Sequence, residues 1–94
     1  MASIFSIEIR YGGNSYYVLI SSRHLNGNLQ YRITVMNGEL EKLIAGHNTI
    51  DVVNGKLVLD DCGGNKEVRE LKKQVINALA DYLNNQVLAN SYEQ

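Results

Sequence analysis

The dipeptide Asn-Gly occurs three times in the first sixty residues, at Asn26-Gly27, Asn37-Gly38 and Asn54-Gly55. Each copy lies between runs of alternating apolar residues. Asn-Gly accepts the positive φ angles of a type I′ turn, whose twist matches that of the strands it joins. A two-residue turn also fixes which residues stand opposite each other, because side chains alternate faces along a strand. The first sixty residues therefore read as a ladder of β-hairpins.

With Gly13-Asn14 as the first turn, Ile9 stands opposite Val18 and Ile7 opposite Ile20. Asn26-Gly27 sets Ile20 opposite Ile33 and Val18 opposite Val35. Asn37-Gly38 sets Val35 opposite Leu40. Asn54-Gly55 sets Val52 opposite Leu57 and Ile50 opposite Leu59. The turns agree on one apolar face: Phe5, Ile7, Ile9, Tyr11, Tyr16, Val18, Ile20, Tyr31, Ile33, Val35 and Leu40, continued by Ile50, Val52, Leu57 and Leu59. Strict alternation past Leu40 buries Lys42, which is costly. A β-bulge at Glu41-Lys42 removes that conflict, turns Leu43 inward and lets Gly46-His47 close a further hairpin.

Asp61-Cys-Gly-Gly-Asn65 ends the strand pattern, and Asn65 is placed to cap a helix. Val68, Leu71, Val75, Ala78, Leu79 and Tyr82 recur at helical spacing. Ile76, Ala80, Leu83 and Val87 widen the stripe. The expected fold is α+β and a single domain over residues 1–94. It has a six-stranded antiparallel meander over residues 3–61, one helix over about 66–88 across one face, and a frayed tail over 90–94.

Composition narrows the function. The net charge of −1 gives no global attraction to nucleic acid or anionic lipid. A lone cysteine, Cys62, excludes an internal disulfide and a thiolate metal cluster. The opening residues begin a strand pattern, with no signal-peptide features and no apolar run long enough to span a membrane. The expected location is the cytoplasm. Asp60 and Asp61 beside Cys62 oppose a reactive thiolate, and His24 and His47 lie in separate turns. Asp51, Asp60 and Asp61 share no metal-loop spacing. The loop Gly63-Gly64-Asn65-Lys66 lacks the phosphate-loop pattern. No catalytic residue, metal or cofactor is expected.

Three binding readings remain. The first is a non-enzymatic binding or assembly module acting through protein contacts, with self-association as a homodimer. Its candidate interface residues are Tyr17, Leu19, Met36, Val53 and Val58 on the outer sheet face, and Ile76, Leu83 and Val87 on the helix. The motive is area: one helix is ~10–12 Å across and cannot cover six strands. The second is a carrier or sensor of a small apolar ligand. A curved meander on a long C-terminal helix resembles helix-grip folds, which implies a ligand held between sheet and helix, with Tyr11, Tyr16, Tyr31 and Tyr82 as the lining. The third is single-stranded nucleic-acid binding. Arg10, Tyr17, Arg23 and Arg32 would act on the sheet, with Lys66, Arg69, Lys72 and Lys73 on the helix.

Overall fold

The computed structural model describes residues 4–92, and the side chains of residues 4–84. Five strands form one antiparallel meander in the order β1 (Ile4–Tyr11), β2 (Asn14–Leu25), β3 (Asn28–Val35), β4 (Thr49–Val53) and β5 (Lys56–Leu57). Helix α1 (Gly38–Ile44) interrupts the meander between β3 and β4, and helix α2 (Lys66–Tyr92) ends the described chain. The architecture is thus α+β, with five strands where the turn pattern gave six.

Two Asn-Gly turns do what their chemistry requires. Asn26 and Asn54 carry φ of 54° and 53°. They set Ile20 opposite Ile33 and Val52 opposite Leu57. The first hairpin turns at Gly12-Gly13 rather than Gly13-Asn14, so Ile9 faces Tyr16 and Ile7 faces Val18. Gly-Gly accepts two positive φ angles, 59° and 82°, more readily than Gly-Asn would. That shift moves the pairing by two residues, an even step, so every side chain keeps its face.

Asn37-Gly38 is not a turn between strands. Asn37 is extended, with φ of −159°, and its Oδ1 accepts the Leu40 N–H at 3.1 Å, which caps α1. Glu39 and Glu41 follow in the first helical turn, where the dipole favours negative charge. Leu40 and Ile44 then fall four apart and are both buried. The expected bulge at Glu41-Lys42 and hairpin at Gly46-His47 are therefore absent. Lys42 is an exposed helical residue, and Gly46, with φ of 82°, ends the helix. The parity conflict at Lys42 marked a change from period 2 to period 3.6.

Glu41 closes a gap in the sheet. β4 pairs with β3 only from Gln30 to Arg32. Beyond that, the Ile33 N–H donates to the Asn48 carbonyl at 2.9 Å. The Val35 N–H donates to Glu41 Oε1 at 2.9 Å. Replacing Glu41 by Ala leaves a buried edge donor without an acceptor, and is expected to cost about 1–2 kcal/mol. Glu41→Gln keeps an acceptor and should lie within about 0.5 kcal/mol of the native protein. Urea denaturation of both variants checks this, and equal losses would show that the strand N–H finds water instead.

The last hairpin is short. Only Val52–Leu57 and Val53–Lys56 pair, followed by one bond from the Val58 N–H to the Asp51 carbonyl at 3.0 Å. The expected pair Ile50–Leu59 is not part of the ladder. Before α2, Asn65 Oδ1 accepts the N–H groups of Glu67 and Val68 at 3.0 and 3.2 Å, the expected cap. The helix continues to Tyr92, past its expected end, so residues 90–92 are helical. Gln94 and its neighbour lie outside the described residues.

The core lies between the sheet and a layer made by both helices. Ile7, Ile9, Val18, Ile20, Ile33, Val35 and Ile50 meet Leu40 and Ile44 of α1 and Val68, Leu71, Val75 and Leu79 of α2. Phe5 stacks on Tyr82 with centroids 4.3 Å apart and planes 6° from parallel. Because α1 supplies a second cover, the inner face is not left bare as a single helix would leave it. Among the described residues, no helix is long and apolar enough to cross a membrane.

Candidate interaction surface

The side of the sheet away from both helices has no covering layer among the described residues. Strand alternation places Tyr17 and Leu19 there from β2, and Met36 continues the same face just past β3. Tyr17, Met36 and Leu19 are 62 %, 58 % and 38 % exposed. They are neighbours: the Met36 N–H donates to the Tyr17 carbonyl at 2.9 Å, and Leu19 stands opposite Thr34. Glu8 and Ser6 of β1 flank them opposite Tyr17 and Leu19. This is an apolar group with a polar rim.

Val53 and Val58 are also exposed, but at the far end of the face. A polar chain lies between the two groups. Arg23 Nε donates to Gln30 Oε1 at 2.9 Å, and Gln30 Nε2 donates to Asp51 Oδ1 at 2.8 Å. This chain ties three adjacent strands across their outer surface. Beyond it, an open groove of about 570 Å³ separates the two hairpin tips, with Leu25, Leu29, Val52 and Val53 among its walls. Of the helix candidates, Ile76 and Leu83 are half-buried beside Leu57 in an apolar groove of about 330 Å³. The side chain of Val87 lies outside the described residues.

The nucleic-acid set is divided. Arg10, Tyr17, Arg23 and Arg32 belong to the outer face, while Lys66, Arg69 and Lys73 are exposed on α2, which packs on the inner face. Arg23 is already engaged by Gln30. Lys72 is not surface charge at all: it is 2 % exposed.

The four tyrosines do not share one pocket either. Tyr11 and Tyr16 lie near the first hairpin turn. Tyr31 stands opposite Ser22, six residues further along β2 than Tyr16, which is roughly 20 Å at ~3.3 Å per residue. Tyr31 is buried, which pushes its phenol pKa up, and Tyr82 is occupied by Phe5.

No protein-family model, curated protein or solved structure matches this chain.

One polar cluster was not foreseen. Lys72 Nζ donates to Asp60 Oδ1 at 3.2 Å, and the Cys62 thiol donates to the same oxygen at 3.1 Å. Lys72 falls four residues after Val68 and three before Val75, inside the apolar stripe, and that spacing was the available signal. Its stem packs in the core while the ammonium reaches the rim. Asp60 thus faces α2, whereas Asp51 is bonded to Gln30 on the outer face. The bond from the Cys62 thiol, above all, holds the Asp60 carboxyl below its usual range; burial opposes it, and the Lys72 ammonium adds to the lowering. Burial first, and then the bond to Asp60, push the Cys62 thiol up. Cys62 is thus a buried thiol engaged as a donor to Asp60. It sits at φ of 52°, in the first residue of a 3-10 turn (Cys62–Gly64), and His47 packs against Gly63. The cluster fastens this turn to α2. Among the described residues, no three His, Cys, Asp or Glu side chains are placed to hold a metal ion. At the helix entry, Asn65 already occupies the first free N–H groups that an anion would use.

Proposed function

We propose that this chain is a small non-enzymatic binding and assembly module that acts through protein–protein contacts, self-association included. The observation that carries the reading is the Tyr17–Leu19–Met36 group. It is exposed on the one sheet face that neither helix covers. An aromatic, a Met and a Leu ringed by polar side chains match the composition of a contact core. Supporting arguments come from the other sites. The only cysteine is a buried thiol, and the buried lysine is already paired.

The test is a triple variant, Tyr17→Ser/Leu19→Ser/Met36→Ser. These side chains lie outside the core, so unfolding free energy should change by no more than about 1 kcal/mol. Protein contacts made by this face should be lost. Capture from a native lysate, with native and variant protein compared at equal loading, reads the effect. Equal capture by both would remove the outer face as the contact surface.

A further inference from the structure

The sheet has two edges, and the fold manages only one. On the far side β5 is two residues long. The exposed part of β3 gives its N–H groups to Asn48 and Glu41. The other edge is β1, eight residues paired one-to-one with β2 without a bulge. The chain contains no proline to blunt it.

Turn geometry shows which groups are free. A two-residue turn leaves its flanking pair, Tyr11 and Asn14, hydrogen-bonded to each other. Bonds then alternate, so the odd-numbered residues of β1 bond to β2. Ile4, Ser6, Glu8 and Arg10 turn their N–H and C=O groups to the open edge. The bond from Met36 N–H to the Tyr17 carbonyl obeys the same alternation in the next hairpin. Beside the edge a groove of about 290 Å³ opens between Ser6–Glu8 and the flank of α2 at Ala78 and Tyr82. Nothing among the described residues shields the strand.

We infer that a second copy of this chain pairs here, β1 against β1, antiparallel about a two-fold axis at Ile7. This rests on the assembly reading above and specifies the self-contact. The sequence of the strand is complementary to itself in that register. Ser6 stands opposite Glu8 of the second copy, where its hydroxyl donates to the carboxylate. Ile4, 71 % exposed, stands opposite Arg10, whose aliphatic stem covers it. Ile7 meets Ile7 on the inner side. An axis at Glu8 would instead oppose two carboxylates, which is unfavourable. The product is a continuous ten-stranded sheet, made by strand addition with two-fold closure. The two Tyr17–Leu19–Met36 groups then lie on one side of it.

Ser6→Pro tests the inference. That N–H takes no part in the β1–β2 ladder, and proline is tolerated on edge strands. The substitution removes one donor per copy at the pairing edge. It should weaken the dimer roughly 100-fold through the acceptors left unmet. Light scattering of the native chain is expected to give twice the 10.5 kDa of one chain and to fall on dilution. Ser6→Pro should give a single chain at the same concentrations, while the triple outer-face variant stays dimeric. Amide exchange supplies a readout without mutation. The amides of Ser6, Glu8 and Arg10 should gain protection as concentration rises, while those of Phe5, Ile7 and Ile9 are protected throughout. A native monomer at every concentration overturns the inference, as does exchange at Ser6, Glu8 and Arg10 that ignores concentration. A dimer that survives Ser6→Pro and is split by the outer-face variant overturns it too, and leaves the assembly reading standing. If Ser6→Pro fails to fold, the exchange pattern decides alone.

Discussion

Ile44→Ala is expected to cost about 3–4 kcal/mol and to lower the melting temperature by roughly 15 °C or more. Ile44 is fully buried at the end of α1. A seven-residue helix has no stability of its own in water, so α1 persists only because its apolar face is docked. Leu40 and Ile44 are the two side chains that dock it, and Asn37 caps it. Removing three carbons from Ile44 leaves a cavity that the short helix cannot close without moving. Moving it withdraws Glu41 from the Val35 N–H and reopens the edge of β3. For a chain of this size the total stability is only about 5–14 kcal/mol, so a large share is at stake. Lys42→Ala on the exposed side of the same helix should change stability by no more than about 0.5 kcal/mol. Denaturant unfolding measures both. Hydrogen exchange at the Val35 amide should rise in Ile44→Ala more than the global loss explains. A loss below about 1 kcal/mol for Ile44→Ala would mean that α1 is not held by this contact.

The same segment shows what a sequence of this kind reveals and where it misleads. Three Asn-Gly pairs look alike, yet only two are turns between strands. What separates them is the following residues. Asn26-Gly27 leads into Asn-Leu-Gln-Tyr, which alternates, and Asn54-Gly55 into Lys-Leu-Val-Leu, a short apolar run with no acid in it. Asn37-Gly38 leads into Glu-Leu-Glu-Lys-Leu-Ile, with leucines and isoleucine at helical spacing and acids in the first turn. A two-residue rule applied to the dipeptide alone misses this. The inner face from Phe5 to Val35 was legible because moving the first turn by one residue shifts the pairing by two, which leaves every side chain on its own side. The outer candidates Tyr17, Leu19 and Met36 were legible for the same reason. That Met36 lies beside Tyr17, while Val53 and Val58 stand apart, depends on how far β4 follows β3, which alternation does not encode. Lys72 was hidden by its charge: it stood in a basic run with Lys66, Arg69 and Lys73, although its spacing put it among Val68, Leu71 and Val75.

That buried lysine carries the second large expected effect. Asp60→Ala removes its acceptor and leaves an unpaired, poorly hydrated ammonium at the rim of the core. Breaking a wholly buried pair this way costs about 3–5 kcal/mol. Here Asp60 is 56 % exposed, so water screens part of the loss, and about 2 kcal/mol is expected, or roughly 10 °C in melting temperature. Lys72→Met should do the opposite. It keeps an unbranched stem among Val68, Leu71 and Val75, removes the charge that had to be desolvated, and leaves Asp60 free to hydrate. Its melting temperature should equal or exceed that of the native chain. The pH dependence carries the matching sign. Asp60 has a lowered pKa in the fold, so the unfolded chain binds its proton more readily. Its contribution is present above the unfolded carboxylate value of about 3.9 and is lost as pH falls through the lower folded value. Cys62 and Tyr31 have raised values. Their contributions are complete below the unfolded thiol and phenol values of about 8.5 and 10. They are lost as pH rises through the folded ones. Stability should be flat between about pH 5 and 8 and fall on both sides. Asp60→Asn should flatten the acid limb and Cys62→Ala the onset of the alkaline one. Equal destabilisation by Asp60→Ala and Lys72→Met would show that attraction between the pair outweighs the desolvation of the lysine, and would reverse this account.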